Sequence, residues 1–195
     1  LGGDRWLADA IECHASGSGP ADKERRLRSL FARAVRAHCR ARFILPFRFT
    51  SAHADRTSHY LIHACGNALG FKIMKEIMYA AGVVGADSGT FEFQAPGVEE
   101  QGDLFANPAE AAARIAILDE LQQGARRVSV FTEDWVLRPD DRYVARQYRD
   151  LLLELEQEGV VEVFDELGVT PAPARARKAH RGRPTLASRL VVRHA

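Results

Sequence analysis

The spacing of apolar residues changes along the chain, and each change marks a predicted element. Between Lys23 and Arg40, Leu27, Leu30, Phe31, Ala34, Val35 and His38 recur at helical steps, with Arg25, Arg28, Arg36 and Arg40 on the opposite, solvent face. A shorter helix is expected from Asp4 to about Cys13, closed by the loop ASGSGP. The aromatic and apolar run Ala41–Phe49 predicts a strand, and Pro46 within it requires an edge or a bulge because it has no N–H for a ladder. After the polar connector TSAHADR, the segment Thr57–Cys65 alternates. His59, Leu61, His63 and Cys65 fall on one face and Tyr60, Ile62 and Ala64 on the other, a second strand antiparallel to the first. From Ala68 to Ala81, Phe71, Met74, Ile77, Met78 and Ala81 form an inward stripe. Lys72 and Glu76 lie outward as an i, i+4 pair, Lys75 is expected at the surface, and Gly82 stops the helix.

The rhythm then breaks. Residues 83–107 are rich in Gly, Asp, Glu and Pro, with only TFEF resembling a strand, and they read as a linker between a segment 1–82 and a domain 108–195. In that domain a helix is expected from Pro108 to Gln123, with Ile115, Leu118 and Leu121 as its core face. RRVSVF predicts a short strand, and Thr132 is placed to cap a brief helix. Asp140 or Asp141 caps a long helix to Glu158, with Val144, Tyr148, Leu151, Leu152 and Leu155 on its buried stripe. The strand GVVEVFD, a basic excursion from Glu166 to Leu186 and the closing strand SRLVVRHA complete it. Helix–strand–helix–helix–strand–loop–strand is the order of an α+β winged helix-turn-helix, with the excursion as its wing.

Charge sharpens this picture. The formal net charge of +1 conceals a division: no acidic residue follows Glu166, whereas Arg175, Arg177, Lys178, Arg181, Arg183, Arg189 and Arg193 do. On the predicted long helix, Arg142, Arg146 and Arg149 are spaced by four and three residues and form one row at its N-terminal half. A recognition helix presents that part to the major groove, where arginine meets phosphates or guanine edges. Arg142, Arg146 and Arg149 are therefore candidate nucleic-acid contacts, with Arg175, Arg177, Lys178, Arg181 and Arg183 following the backbone of duplex DNA beside them. The alternative is that these arginines are solvated and the domain docks a protein.

Other chemistry is sparse. The 195 residues, 46% of them apolar, suit one large domain or two small ones. No apolar run approaches the roughly 20 residues that span a bilayer, and no signal-peptide pattern opens the sequence, so a cytoplasmic location is expected. Cys13, Cys39 and Cys65 are far apart, without a CxxC, and are expected to be reduced thiols. His59 and His63 lie on one strand face roughly 13 Å apart, too far to share a metal ion. Neither a glycine-rich phosphate loop nor an acid–histidine motif is present, and no catalytic, cofactor-binding or metal-ligating residue is assigned.

The stretch TSHYLIHACGNALGFKIMKEIM resembles the three-Cys-motif partner proteins, a prokaryotic family encoded beside a phage-related, Gp37/Gp68-like, radical-SAM-type protein. The matching pattern is the strand Tyr60-Leu61-Ile62, a short loop, and Gly70-Phe71-Lys72-Ile73-Met74-Lys75-Glu76-Ile77-Met78 on a helix; TFEF, GDLF and the C-terminal winged helix also stand where that family would put them. The three-cysteine motif in the family's name belongs to its genomic partner, not to Cys13, Cys39 and Cys65. The resemblance implies that 1–82 is the C-terminal end of a Rossmann-like methyltransferase-type α/β domain, closed by an antiparallel hairpin, and that the chain, starting at Leu1, is the C-terminal portion of a longer protein. It implies S-adenosylmethionine as a cofactor of the full-length protein only, and the radical-SAM-type protein as a partner. The implied function is methyltransferase-like, with a DNA-contacting winged helix. A non-enzymatic adaptor and a transcriptional regulator are the alternatives.

Overall fold

Alternation along two neighbouring strands sets the first half of the structure. The computed structural model describes residues 3–15, 19–51, 54–84, 91–93, 108–138, 141, 143–174, 177, 179–180 and 183–195. It is an α/β chain that divides into two units, Leu1–Gly97 and Val98–Ala195.

In the first unit, α1 (Gly3–Ala15) and α2 (Pro20–Cys39) precede a hairpin of β1 (Phe43–Ser51) and β2 (Ala54–Cys65). The hairpin register runs from Phe43↔Cys65 to Phe49↔His59 before slipping at Thr50 and Ser51. Because side chains alternate, Phe43, Leu45 and Phe47 share a face with Cys65, His63 and Leu61, and Ile44 and Arg48 share the other with Ala64 and Tyr60. On the Ile44 face, α2 packs Val35 into a buried cluster with Ala41 and Ile44, against Phe31 and Ile62. On the Phe43 face, α3 (Ala68–Ala81) stacks Phe71 on Phe43, ring centroids 5.1 Å apart. The hairpin thus lies between helices.

Two short strands extend the sheet inside the stretch expected as a linker. β4 (Phe91–Phe93) runs parallel to β1, from Phe47↔Phe91 to Phe49↔Phe93, and β3 (Val83–Val84) pairs antiparallel with β4, giving the order β2-β1-β4-β3. The remaining residues of that stretch, 85–90 and 94–107, lie outside the described residues. Pro46 sits one residue before β4 begins to pair, so its missing N–H breaks no bond on that side.

The α3 expectation needs correction at three residues, one of them Ala81, which is exposed rather than in the inward stripe. Lys75 is fully enclosed rather than at the surface, and Ile77 is 54% exposed rather than in the stripe. Phe71, Lys75 and Met78 step by four and three toward the sheet, while Leu69, Ile73 and Ile77 step by fours along the opposite side. Lys75 follows the sheet-facing row with its apolar stem and holds its ammonium 5.9 Å from the Phe71 ring centroid.

The second unit starts with α4 (Pro108–Gln122). Its core side is Ala113, Ile117 and Leu121, and Ile115, expected in the core, is 60% exposed. β5 is only Arg126–Arg127. The rest of the expected strand turns helical through Val130–Asp134 and Trp135–Leu137, because Val128 and Phe131 are both fully buried there, which a helical step allows and a strand's alternation does not. Thr132 lies inside that turn, not at its cap, donating its hydroxyl to the Val128 carbonyl at 3.1 Å. α5 (Ala145–Gln157), β6 (Val161–Phe164), β7 (Ala179–His180), β8 (Arg183–Pro184) and β9 (Val191–His194) follow. β9 is central in an antiparallel sheet of order β5-β9-β6, and β7 and β8 form a separate two-stranded ribbon. One core joins Ile117, Leu121, Phe131, Trp135, Leu152 and Val192.

Candidate nucleic-acid interface

The α5 helix is amphipathic by residue choice: Tyr148, Leu151, Leu152 and Leu155 recur at steps of three and one and close on the core. Its start differs from expectation. The helix begins at Ala145, and Asp141 instead braces the approach to it, accepting hydrogen bonds from the Tyr143 N–H at 3.4 Å and the Tyr148 hydroxyl at 2.5 Å. Burial, reinforced by the Asp141 carboxylate, pushes the Tyr148 phenol far above its ordinary pKa, so it stays a neutral donor. Val144 occupies the cap position fully buried, and the Gln147 side chain accepts its N–H at 3.0 Å. Apolar burial, not a polar cap, therefore anchors this end.

Beyond that anchor α5 carries arginines in its first half, with Asp150 following Arg149, and glutamates in its second. Arg146 is exposed at the second helical residue, and Arg149 reaches from the fifth to the Ser188 hydroxyl, 3.5 Å away. The glutamates at and just beyond the C-terminal half are matched from outside the helix. Arg114 of α4 pairs with Glu154 at 3.4 Å and with Glu158, and Arg177 pairs with Glu156. Cations near a helix N-terminus oppose the helix dipole by a few tenths to about 1 kcal/mol each. An anion bound there would reverse that sign.

The other expected contacts divide. Arg142, Arg175, Lys178 and Arg181 lie outside the described residues, and Arg183 is placed in β8 by its backbone. Arg177 does not fit a phosphate contact: its side chain is 6% exposed and faces Glu156, itself 14% exposed. Arg193 of the tail is likewise engaged, 2.7 Å from Glu162 and stacked over Phe164. Sequence reasoning missed Ser188 and the Glu156–Arg177 pair, whose separation of 21 residues carries no periodic signal.

No family model, characterised protein or solved structure matches this chain.

The first unit has its own polar cluster. Glu24 of α2 accepts hydrogen bonds from the hydroxyls of Thr57, at 2.6 Å, and Tyr60, and the Arg48 guanidinium lies 3.5 Å away. Arg48 also donates to Thr57 at 2.6 Å, and Arg28 lies over the Tyr60 ring. The groups satisfy one another, which makes this a tie between helix and hairpin. The junction from β2 into α3 does not suit a dinucleotide-like cofactor. Its glycines, Gly66 and Gly70, do not have the spacing of a phosphate-binding turn, and the Asn67 side chain already accepts the Leu69 N–H at 2.7 Å. Among the described residues no cluster of three His, Cys, Asp or Glu could hold a metal ion, and no helix is long and apolar enough to cross a membrane. The His59 ring stacks on Phe49, centroids 4.3 Å apart.

Proposed function

We propose that the second unit is a winged helix-turn-helix that binds duplex DNA through the N-terminal half of α5 and the basic excursion after β6. The single observation that carries this reading is the solvent-facing placement of Arg146 in the first turn of α5, with Arg149 one turn on beside Ser188. Glu154, Glu156 and Glu158 are paired with Arg114 and Arg177 within the unit, and Arg146, four residues before Asp150, is exposed to solvent at the N-terminal end. Element order and the β5-β9-β6 sheet support the fold assignment, with α5 as the recognition helix. The first unit is proposed as the closing end of a Rossmann-like methyltransferase-type sheet, supported by a long antiparallel hairpin between α2 and α3. In that reading the chain is the C-terminal portion of a three-Cys-motif partner-like protein acting in the cytoplasm with a Gp37/Gp68-like radical-SAM-type protein. S-adenosylmethionine would then be a cofactor of the full-length protein only. An adaptor reading is favoured by one observation, the exposed apolar row Leu69, Ile73 and Ile77 on α3.

The test of DNA binding is a salt titration of duplex affinity for the wild type, Arg146→Ala and Arg149→Ala. Each phosphate contact releases condensed counterions, so the log–log slope should fall by about one for a lost contact, on every sequence alike. Absence of duplex binding at low salt, or slopes unchanged in both variants, would transfer the lead to the adaptor.

A further inference from the structure

Leu30, Ala34 and Val35 are buried along one side of α2, which fixes the opposite side of that helix toward solvent. On that side stand Arg26, Arg33 and Arg36, all exposed and within roughly 80° of arc at 3.6 residues per turn. Arg26 and Arg36 are about 15 Å apart along the axis. Exposed Arg40, at the helix C-cap, continues the row. Among the described residues these four arginines meet no carboxylate. The two carboxylates of α2 are already engaged, Asp22 with Arg25 and Glu24 within the tie to the hairpin. Elsewhere Arg48, Arg114, Arg126, Arg177 and Arg193 each pair with an acid. The dipole of α2 favours cations in its last turn, which accounts for Arg36 and Arg40 but not for Arg26 and Arg33 further back. Arg40 is also the one residue other than glycine with a left-handed backbone among the described residues, at φ 51°. Helices that end in that conformation usually place glycine there. The charge is kept where the backbone would favour losing the side chain.

Four unmatched guanidinium groups in one line suit a linear array of anions. A duplex backbone supplies one negative charge per about 1.7 Å of its axis, and guanidinium engages phosphate through two parallel N–H donors. An anionic membrane is the weaker match. A helix lying in that interface buries its apolar face among the acyl chains, whereas the apolar face of α2 is packed on the hairpin. A single strand is held by aromatic side chains that stack its bases, and the exposed residues of α2 include no Phe, Tyr or Trp. We infer that the outer face of α2 grips the phosphate backbone of duplex DNA without reading its sequence. This gives the first unit a contact surface of its own, beyond the one proposed on α5, and it stands on different residues.

The experiment is a salt titration of the full chain on two short duplexes of unrelated sequence, followed by fluorescence anisotropy. Arg33→Ala/Arg36→Ala should lower the log–log slope by about two on both duplexes, one for each lost phosphate contact. Arg33→Gln/Arg36→Gln should match it, and Arg33→Lys/Arg36→Lys, which keeps both charges, should keep the wild-type slope. All three pairs of substitutions lie on the solvent face and should leave the circular dichroism melt in place. An unchanged slope in the alanine and glutamine variants, with Arg146→Ala still lowering it, would overturn the inference and leave α5 as the DNA-contacting element. The reverse result would uphold the α2 surface and remove α5 from that role. A slope lost on one duplex only, or lost equally in the lysine variant, would also overturn the inference. If the slope holds while the alanine variant loses binding to phosphatidylserine vesicles, the row serves a membrane and the inference falls. No duplex binding by the wild type at low salt would overturn both surfaces.

Discussion

At Arg177 a cation is held nearly dry by one carboxylate. Its Nε and Nη1 meet no acceptor among the described residues, and Glu156 is its charge partner. Two desolvated ions are stable together only because each cancels the other, and a lone one left behind is penalised by several kcal/mol. Glu156→Ala should therefore destabilise the second unit by about 3 kcal/mol, read as a lower urea midpoint with an unchanged slope. Replacing both partners, Glu156→Leu with Arg177→Met, should restore most of that loss, because the apolar pair fills similar volume without an unpaired charge. A neutral single substitution would mean that Arg177 turns to solvent, and the ribbon would then lose its tether. Arg193, paired with Glu162 with about half of each side chain exposed, should behave differently, at no more than about 1 kcal/mol.

Between elements, the docking of α2 on the hairpin depends on the protonation state of Glu24. Burial alone would raise its pKa, but hydrogen bonds from Thr57 and Tyr60 and the charges of Arg48 and Arg28 outweigh that and hold the carboxyl below its ordinary value. A depressed folded pKa favours folding above the unfolded value, and this contribution fades as pH falls through the folded one. The first unit should thus lose stability on acidification below the usual carboxylate range, and Glu24→Gln should flatten that part of the profile, followed by circular dichroism melts across pH. An identical acid slope in the variant would assign the tie no role. The hairpin itself was legible because Ala41–Phe49 and Thr57–Cys65 are two strand-like runs joined by a polar connector, and a one-residue slip of their register would invert its faces. α3 and α4 were legible as helices but not in orientation. Leu69, Ile73 and Ile77 compete with Phe71 and Met78 on α3, and Ile115 competes with Ile117 on α4, so periodicity alone allowed either side inward. The start of α5 was misplaced because Asp141 looks like a cap yet serves the preceding turn and Tyr148. The arginines on α5 could be read from spacing, but the arginines on α4 and beyond β6 that pair with its carboxylates are tertiary facts with no local trace.

At the scale of the molecule, the two units hold unequal cores. The second gathers fully buried Ile117, Val128, Phe131, Leu152 and Val192 from helices and sheet into one cluster. In the first, the buried residues are divided between the two faces of the hairpin sheet, with Val35, Ala41 and Ile44 on one and Phe47, Phe71 and Met78 toward the other. β4 contributes three residues of pairing and β3 two, while exposed Leu69, Ile73 and Ile77 bury little. Hydrophobic stabilisation follows apolar area removed from water, about 25 cal/mol per Å², so the thinner layers of the first unit should open at lower cost. Residues 108–195 are of the size at which small domains fold alone, and expressed by themselves they should give a cooperative melt close to that of the second unit within the full chain. Brief proteolysis of the full chain should then cut the first unit early and leave a resistant C-terminal fragment, identified by mass. A fragment that instead preserves 1–97 while 108–195 is digested would show that the single connected core is not the more stable one, and that something other than buried area governs the order of opening.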